Sequence, residues 1–293
     1  MKIAVLGASG VVGRALLPLL AGHEVVAVSR RPRERSGDVV RWVAADVSER
    51  DELNGVFDGV DVVYHLVHSL GAKDFAQRDR RAAEAVAEAS QSAGVRQIVF
   101  LGGLGDASKA SSLHLRSRAE TAERLASGSV PVTTLRSAIV VGKGSAAFET
   151  IVALVDRLPV MVCPRWVRTR TQPIALQDVV RYLSGVAGRG EALGRTFDVG
   201  GPEVMTCRDM ILRVGTLRGR RPLLVEVPVL TPRLSSLWLH LVTPVQAGVA
   251  RELVDGLRTE TVARDNDIAR LVPFEPTQFD EAARTALPAR DAV

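Results

Sequence analysis

Residues 2–13, KIAVLGASGVVG, constrain what this chain can fold into more than any other stretch. KIAVLG is apolar at consecutive rather than alternate positions, the pattern of a strand buried on both faces. VVGRALLPLLAG (11–22) then reads as a helix that continues through Pro18 and stops at Gly22. Between the two stand Gly7, Gly10 and Gly13, spaced G-x-x-G-x-x-G. Glycine permits the tight turn and lets backbone N–H groups approach an anion at the positive end of the helix, while the last glycine lets helix and strand pack closely. A pyrophosphate is the ligand such a turn suits. The same glycines in another context would be an ordinary turn, so the position at the start of a strand–helix–strand unit carries the argument.

The rest of the first half repeats the alternation. Strands are expected at 24–30, 39–46, 61–67, 96–103 and 130–136. Helices are expected within SERDELNGVF (48–57), over the Ala-rich stretch 74–93 ending at Gly94, and over 111–127. Strands without in–out alternation, separated by helices, build a parallel sheet covered on both faces. The expected fold is α/β, a doubly wound parallel sheet of the Rossmann kind.

Composition narrows the function. The net charge of +5 comes from arginine, since Lys occurs only at positions 2, 73, 109 and 143. Arginines cluster at Arg30, Arg31, Arg33 and Arg35, and again at Arg165, Arg168 and Arg170. Aromatic residues make up only 4% of the chain and do not interleave with the basic ones, so a nucleic-acid partner is not expected and small anions are. Cys163 and Cys207 have neither metal-ligand spacing nor the look of a disulfide framework, and no metal is expected. No run of about 18 apolar residues is present, so no transmembrane span is expected. MKIAVLG lacks the charged and cleavable regions of a secretory signal, and the expected location is the cytoplasm.

The end of the second strand separates two cofactors. NAD calls for a carboxylate there to grip the ribose 2′-hydroxyl. The sequence instead reads Ser29, Arg30, Arg31, with no acid before Glu34. Arginine suits the 2′-phosphate of NADP, which makes NADP the preferred cofactor and NAD the alternative. A solvated basic loop is the bland reading of the same residues. Asp46 follows the third strand, where it either accepts from an adenine amino group or caps a turn. The cofactor-binding set is therefore Gly7, Ser9, Gly10, Val11, Val12, Gly13, Arg30, Arg31, Asp46, Val47 and Leu66, with Arg118 added below. His65 and His68, in HLVHS at the end of the fourth strand, are read as edge residues and not as catalytic.

GASGVVG, AADV, IVFLGGLG, HLRSRAETAERL, VTTLRSAIVVG, TQPIALQDVVRYL and FDVGGPEVMT, in this order over residues 1–215, resemble the short-chain dehydrogenase/reductases of the extended and atypical kinds. That superfamily carries Tyr-x-x-x-Lys on the helix after strand five. This chain has His114 in the tyrosine's place and Arg118 in the lysine's, and so resembles an atypical bacterial subgroup with His-x-x-x-Arg. The superfamily's Ser or Thr near the end of strand five is replaced by Gly102, Gly103 and Leu104. The resemblance implies His114 as general acid and Arg118 as the ribose-binding partner, the two sharing one helix face. An unperturbed imidazole titrates near ~6.5, which would make it a competent acid at neutrality. Ser111, Ser112 or a backbone amide would have to replace the missing hydroxyl.

The resemblance also implies a nucleotide-binding domain over 1–140, joined by about 172–200, and a smaller interleaved substrate or cap region over 141–293. Arg165, Arg168 and Arg170 near Trp166 either recognise an anionic substrate group or form a solvated loop. Cys163 reads as a small buried hydrophobe. The apolar stretch 225–250, broken by Pro232 and Pro244, reads as a helix packed on the cap, a lid over an apolar substrate, a membrane-surface contact or a homodimer face. The tail EAARTALPARDAV is expected to fray. Two functions follow: an NADP-dependent oxidoreductase acting on a small carbonyl, enone or quinone-like compound, or a non-catalytic NADP(H)-binding sensor or scaffold. A nucleotide-sugar epimerase or dehydratase is a weaker third, because it normally needs the full Ser/Tyr/Lys set.

Overall fold

The computed structural model describes residues 1–31, 40–69, 71–72, 74–106, 112–227, 252 and 255–288. Arg33, Glu34, Arg35, Ser111 and positions 228–250 of the apolar stretch lie outside the described residues.

The first half forms β1 (Lys2–Leu6), α1 (Val11–Leu16), β2 (Glu24–Ser29), β3 (Val40–Ala44), α2 (Arg50–Asn54), β4 (Val62–His65), α3 (Phe75–Ser92), β5 (Gln97–Gly103), α4 (Leu113–Ala126) and β6 (Val132–Ser137). One difference from the sequence reading lies in α1, which stops at Leu16 rather than continuing to Gly22. Pro18 has no N–H to continue the ladder, and Leu17–Leu20 tighten into a 3₁₀ turn instead.

Six of these strands, joined by β11 (Thr196–Val199), make one parallel sheet of seven in the order β11-β6-β5-β4-β1-β2-β3. Successive residues of each strand feed opposite faces. Ile3 and Val5 join one apolar cluster with Leu16, Leu20, Val179 and Leu183. Ala4 and Leu6 join another with Phe57, Val86 and Leu125. Both faces are filled, which is why the strands show no polar alternation. The strand order reverses at β1, which lies between β2 and β4. In such sheets the crevice beyond the carboxyl ends at the reversal is where ligands bind.

After β6 the chain alternates between the sheet and a second cluster. β7 (Val140–Val141) pairs with β10 (Ile174–Ala175), ahead of α6 (Leu176–Val186), which packs on α1, and of β11 in the large sheet. Between and after these come α5 (Ala146–Arg157), β8 (Val160–Pro164), β9 (Arg170–Thr171), β12 (Met205–Thr206), α7 (Cys207–Leu217) and β13 (Leu223–Val227). Phe148, Ile151, Met161, Met210 and Val214 form the core of this part. The start of the tail expected to fray, 281–286, instead belongs to a helix, Phe279–Ala286, whose Phe279, Ala282, Ala283 and Ala286 are buried in that core, while residues 289–293 lie outside the described residues. Among the described residues no helix is long and apolar enough to cross a membrane.

Candidate active site

The glycine turn closes the crevice at β1. Gly7 has φ +82°, and a Cβ there would sit 2.9 Å from the carbonyl carbon and oxygen of Leu66. A Cβ on Gly13 would strike the Gly7 carbonyl oxygen and lie 2.7 Å from the Ala8 Cα. These two glycines are therefore fixed by backbone approach, so α1 starts directly on the turn. Gly10, its N-cap, has no side chain to satisfy the first-turn N–H groups, and no side-chain cap is formed. A bare, side-chain-free cradle of N–H donors is what a pyrophosphate requires.

At the ends of β2 and β3, the Ser29 hydroxyl donates to Ser9 Oγ at 3.0 Å and accepts the Arg31 N–H at 3.4 Å. Arg30 and Arg31 are exposed. Asp46 Oδ1 accepts the Ser48 N–H and hydroxyl, at 3.0 and 2.7 Å. Those two bonds hold the Asp46 carboxyl below the usual range, with a further contribution from the charge of Arg30. Its turn-capping role is thus present, and a second oxygen remains. Val47 packs against the core beneath.

A cluster that includes His68 forms where the segment after β4 meets α3 and α4, which pack on one another. Asp79, buried on α3, accepts the Ser69 N–H at 3.0 Å through Oδ1 and meets His68 Nδ1 at 2.7 Å through Oδ2. His68 Nε2 in turn lies 3.0 Å from His114 Nδ1. The His114 N–H donates to the Glu252 carboxylate at 3.1 Å. Burial pushes the His114 imidazole down to about 3, and the neighbouring His68 and Arg118 act in the same direction. Burial also lowers His68, against the pull of Asp79. The Asp79 carboxyl lies below its ordinary value: burial opposes this, and the His68 hydrogen bond and nearby charges outweigh it. His65, fully buried, is pushed to about 3 by burial, and its Nδ1 has no partner.

Arg118 is buried, with its guanidinium 4.5 Å from the centre of the Phe100 ring. It donates to the Val67 carbonyl at 3.2 Å and to the Leu101 carbonyl. Burial lowers it to about 10, so it remains a cation near neutrality. Two of its five N–H donors are thus engaged by these carbonyls, and the other three have no partner among the described residues. A Cβ on Gly103 would lie 2.9 Å from Leu115 Cδ2, the tip of a side chain that can turn aside, so a residue larger than glycine there would need Leu115 on α4 to shift. Ser112 does not replace the missing hydroxyl, because it is fully buried as the cap of α4 and accepts the Leu115 N–H.

Gly10, Val11, Val12, Gly13, Leu66, His114 and Arg118 line one cavity of about 880 Å³. Gly7, Ser9, Arg30, Arg31, Asp46 and Val47 lie outside its lining. His68, which the sequence presents as an edge residue, belongs to the cluster, as do Asp79 and Glu252, which no sequence motif singles out. Beyond His114 the wall is mostly apolar, including Ile151, Leu154, Met161, Trp166, Val167 and Ile211. The basic group near Trp166 is partly engaged: Arg168 pairs with Glu226 at 2.7 Å and Arg170 with Glu260 at 4.0 Å. Burial raises the thiol of Cys163 to about 11 and that of Cys207 to about 12, and both are free. Among the described residues no cluster of His, Cys, Asp or Glu could hold a metal.

A family model described as NAD(P)H-binding matches residues 7–131. Residues 7–131 form an NAD(P)H-binding domain. An uncharacterised Mycobacterium tuberculosis protein is 36% identical over 102 residues, 34% of this chain and only 12% of its own length. An Arabidopsis thaliana mitochondrial protein named NADH dehydrogenase [ubiquinone] 1 alpha subcomplex subunit 9 is 25% identical over 221 residues, 70% of this chain and 55% of its own. Among solved structures, a Staphylococcus aureus nucleoside-diphosphate-sugar epimerase superposes with TM-score 0.78 at 17% identity, covering 97% of this chain and 100% of that one. A Citrobacter triphenylmethane reductase complexed with NADP(H) gives 0.76 at 17% identity, covering 98% and 100%. An Escherichia coli NADPH-dependent quinone oxidoreductase gives 0.77 at 18% identity, covering 97% and 98%. At these identities the structural likeness shows the fold, a Rossmann-type α/β architecture.

Proposed function

We propose that this protein is an NADP(H)-dependent oxidoreductase acting on a small apolar carbonyl, enone or quinone-like compound, with His114 delivering the proton. The observation that carries the reading is the single cavity in which the bare glycine turn, His114 and Arg118 meet an apolar wall. Residues 1–140, with about 172–200, hold the cofactor, and 141–293 shape the substrate end.

The first-turn N–H groups at Val11, Val12 and Gly13 would hold the pyrophosphate, with Gly10 as the bare cap beside it, its own N–H donated to the Gly7 carbonyl, and the exposed Arg30 and Arg31, beside Ser9, would hold the 2′-phosphate. Asp46 and Val47 would border the adenine, Leu66 the middle of the cofactor, and the unengaged N–H donors of Arg118 the nicotinamide ribose. Bound NADPH supplies a hydride. The task left to the chain is to exclude water with the apolar wall and to move one proton at His114. The triphenylmethane reductase and the quinone oxidoreductase, which share the fold and were solved with NADP(H), support the choice of cofactor and of an apolar acceptor. The pairing of Arg168 and Arg170 with carboxylates favours an apolar over an anionic substrate.

One observation favours the non-catalytic NADP(H) sensor or scaffold instead: burial holds the His114 imidazole neutral far below pH 7, so by itself the ring carries no imidazolium proton to deliver at neutrality. His114→Phe separates the two. The oxidoreductase loses NADPH oxidation by about 10²–10⁴-fold while its NADPH affinity stays within twofold or so. Unchanged turnover would refute the role of His114.

A further inference from the structure

We propose that Asp79, His68 and His114 act as one proton relay, in which Asp79 fixes the tautomer of both rings and the transferred charge comes to rest on His68. The geometry dictates the hydrogens. An ionised carboxylate only accepts, so His68 Nδ1, 2.7 Å from Asp79 Oδ2, carries a hydrogen. In the neutral ring His68 Nε2 is then a lone pair, and the hydrogen in the 3.0 Å contact with His114 belongs to His114 Nδ1. His114 Nε2 is left as an acceptor, and it makes no hydrogen bond among the described residues. The Ser69 N–H on Asp79 Oδ1 fixes the carboxylate, so the series is anchored at its far end.

Proton movement follows from that arrangement. When His114 Nε2 takes a proton, its Nδ1 proton passes to His68 Nε2. His114 ends neutral with hydrogen on Nε2, and His68 becomes an imidazolium against Asp79. Delivery to a substrate oxygen is the reverse: the Nε2 hydrogen leaves His114, the shared hydrogen returns to Nδ1, and His68 is neutral again. No atom or charge is unaccounted for, and the proton is replaced from solvent. The charged groups facing the pair explain the direction. From α4, Arg118 repels a charge on His114; from β4, His65 is buried and neutral. Glu252 accepts the His114 backbone N–H; Arg118 opposes and Asp79 favours a charge on either ring, but among the two rings only His68 is hydrogen-bonded to the Asp79 carboxylate. A cation is therefore better placed on His68 than on His114. The relay moves the charge from His114 to His68, the ring hydrogen-bonded to the Asp79 carboxylate, which opposes the effect of burial there. Asp79 and His68 are positioning residues in this scheme, and its link to turnover rests on the oxidoreductase reading.

The test is ¹⁵N NMR of the full-length, histidine-labelled protein at pH 7.5 without cofactor, paired with NADPH oxidation kinetics. His68 and His114 should both carry hydrogen on Nδ1 and not on Nε2. A His114 protonated mainly on Nε2 would overturn the relay. In Asp79→Asn the side chain can either donate or accept, so His114 should become a mixture of tautomers; a spectrum identical to wild type would overturn it. Turnover in that variant should fall about a hundredfold at unchanged NADPH affinity, with a displaced pH profile. If Asp79→Asn does not fold, the wild-type spectrum still decides. Locked tautomers in an enzyme that never oxidises NADPH would sink the oxidoreductase reading and leave the lock standing. Turnover with an Nε2-protonated His114 would do the opposite.

Discussion

Gly13→Ala probes how closely α1 sits on the turn that precedes it. The added methyl would meet two backbone groups, striking the Gly7 carbonyl oxygen and lying 2.7 Å from the Ala8 Cα. Backbone atoms cannot rotate aside as a side-chain tip can, so the helix must move outward from the sheet. Overpacking of this kind costs about 1–3 kcal/mol, and a two-sided backbone contact belongs at the upper end. For a domain of this size about 3 kcal/mol corresponds to a fall in melting temperature of roughly 6–12 °C. The outward shift also moves the first-turn N–H donors, so NADPH affinity should fall more than tenfold, at least about 1.4 kcal/mol. Urea unfolding and calorimetric titration measure the two effects. Gly22→Ala is the control, since nothing lies within 4 Å of a Cβ there, and it should stay within about 0.5 kcal/mol of wild type. If Gly13→Ala matched Gly22→Ala in both stability and affinity, the close approach would not be what the glycine serves.

Replacing Arg30 and Arg31 together by Ala should weaken NADPH binding about 10–100-fold and leave NADH binding nearly unchanged, since only NADPH loses charge-assisted bonds; equal losses would contradict the 2′-phosphate assignment. His65 is held neutral by burial down to about 3, so between pH 6.5 and 3 the unfolded chain binds the proton first. Stability from this residue is complete above pH ~6.5 and is lost as pH falls, by about 2 kcal/mol between pH 7 and 5. His65→Leu should reduce the pH 7-to-5 loss in urea stability by that amount, and an unaltered pH dependence would show that the ring titrates freely. Cys163 and Cys207, with thiols raised to about 11 and 12, should resist a disulfide reagent at pH 8 in the folded protein. Labelling as fast as in urea would mean that neither is protected.

The nucleotide-binding half was legible because its signals are local. Consecutive apolar residues in β1 and β2 announce burial on both faces, and Gly7 and Gly13 fall where a side chain would meet backbone. The end of α1 was not legible, since a proline within an apolar run is compatible both with a continuing helix and with the 3₁₀ turn that forms. His114 and Arg118 were visible as a helical i, i+4 pair, but their surroundings were not. Asp79 lies 11 residues from His68 and Glu252 lies 138 from His114, distances over which no periodicity operates. One signal was available for Asp79: it shares the buried stripe of α3 with Phe75, Ala82, Ala83 and Val86. A carboxylate within an apolar stripe needs a partner, and a histidine at the end of the preceding strand was a candidate.

The central claim is that one cavity holds NADPH and an apolar acceptor against His114. Calorimetric titration with NADPH and NADH, followed by a panel of apolar quinones, enones and carbonyls watched at the nicotinamide absorbance, tests it most directly. The account predicts tighter binding of NADPH than of NADH, and oxidation of bound NADPH by at least one apolar acceptor, abolished in His114→Phe. Tight NADPH binding with no oxidation by any member of the panel would contradict it and leave a nucleotide-sensing protein.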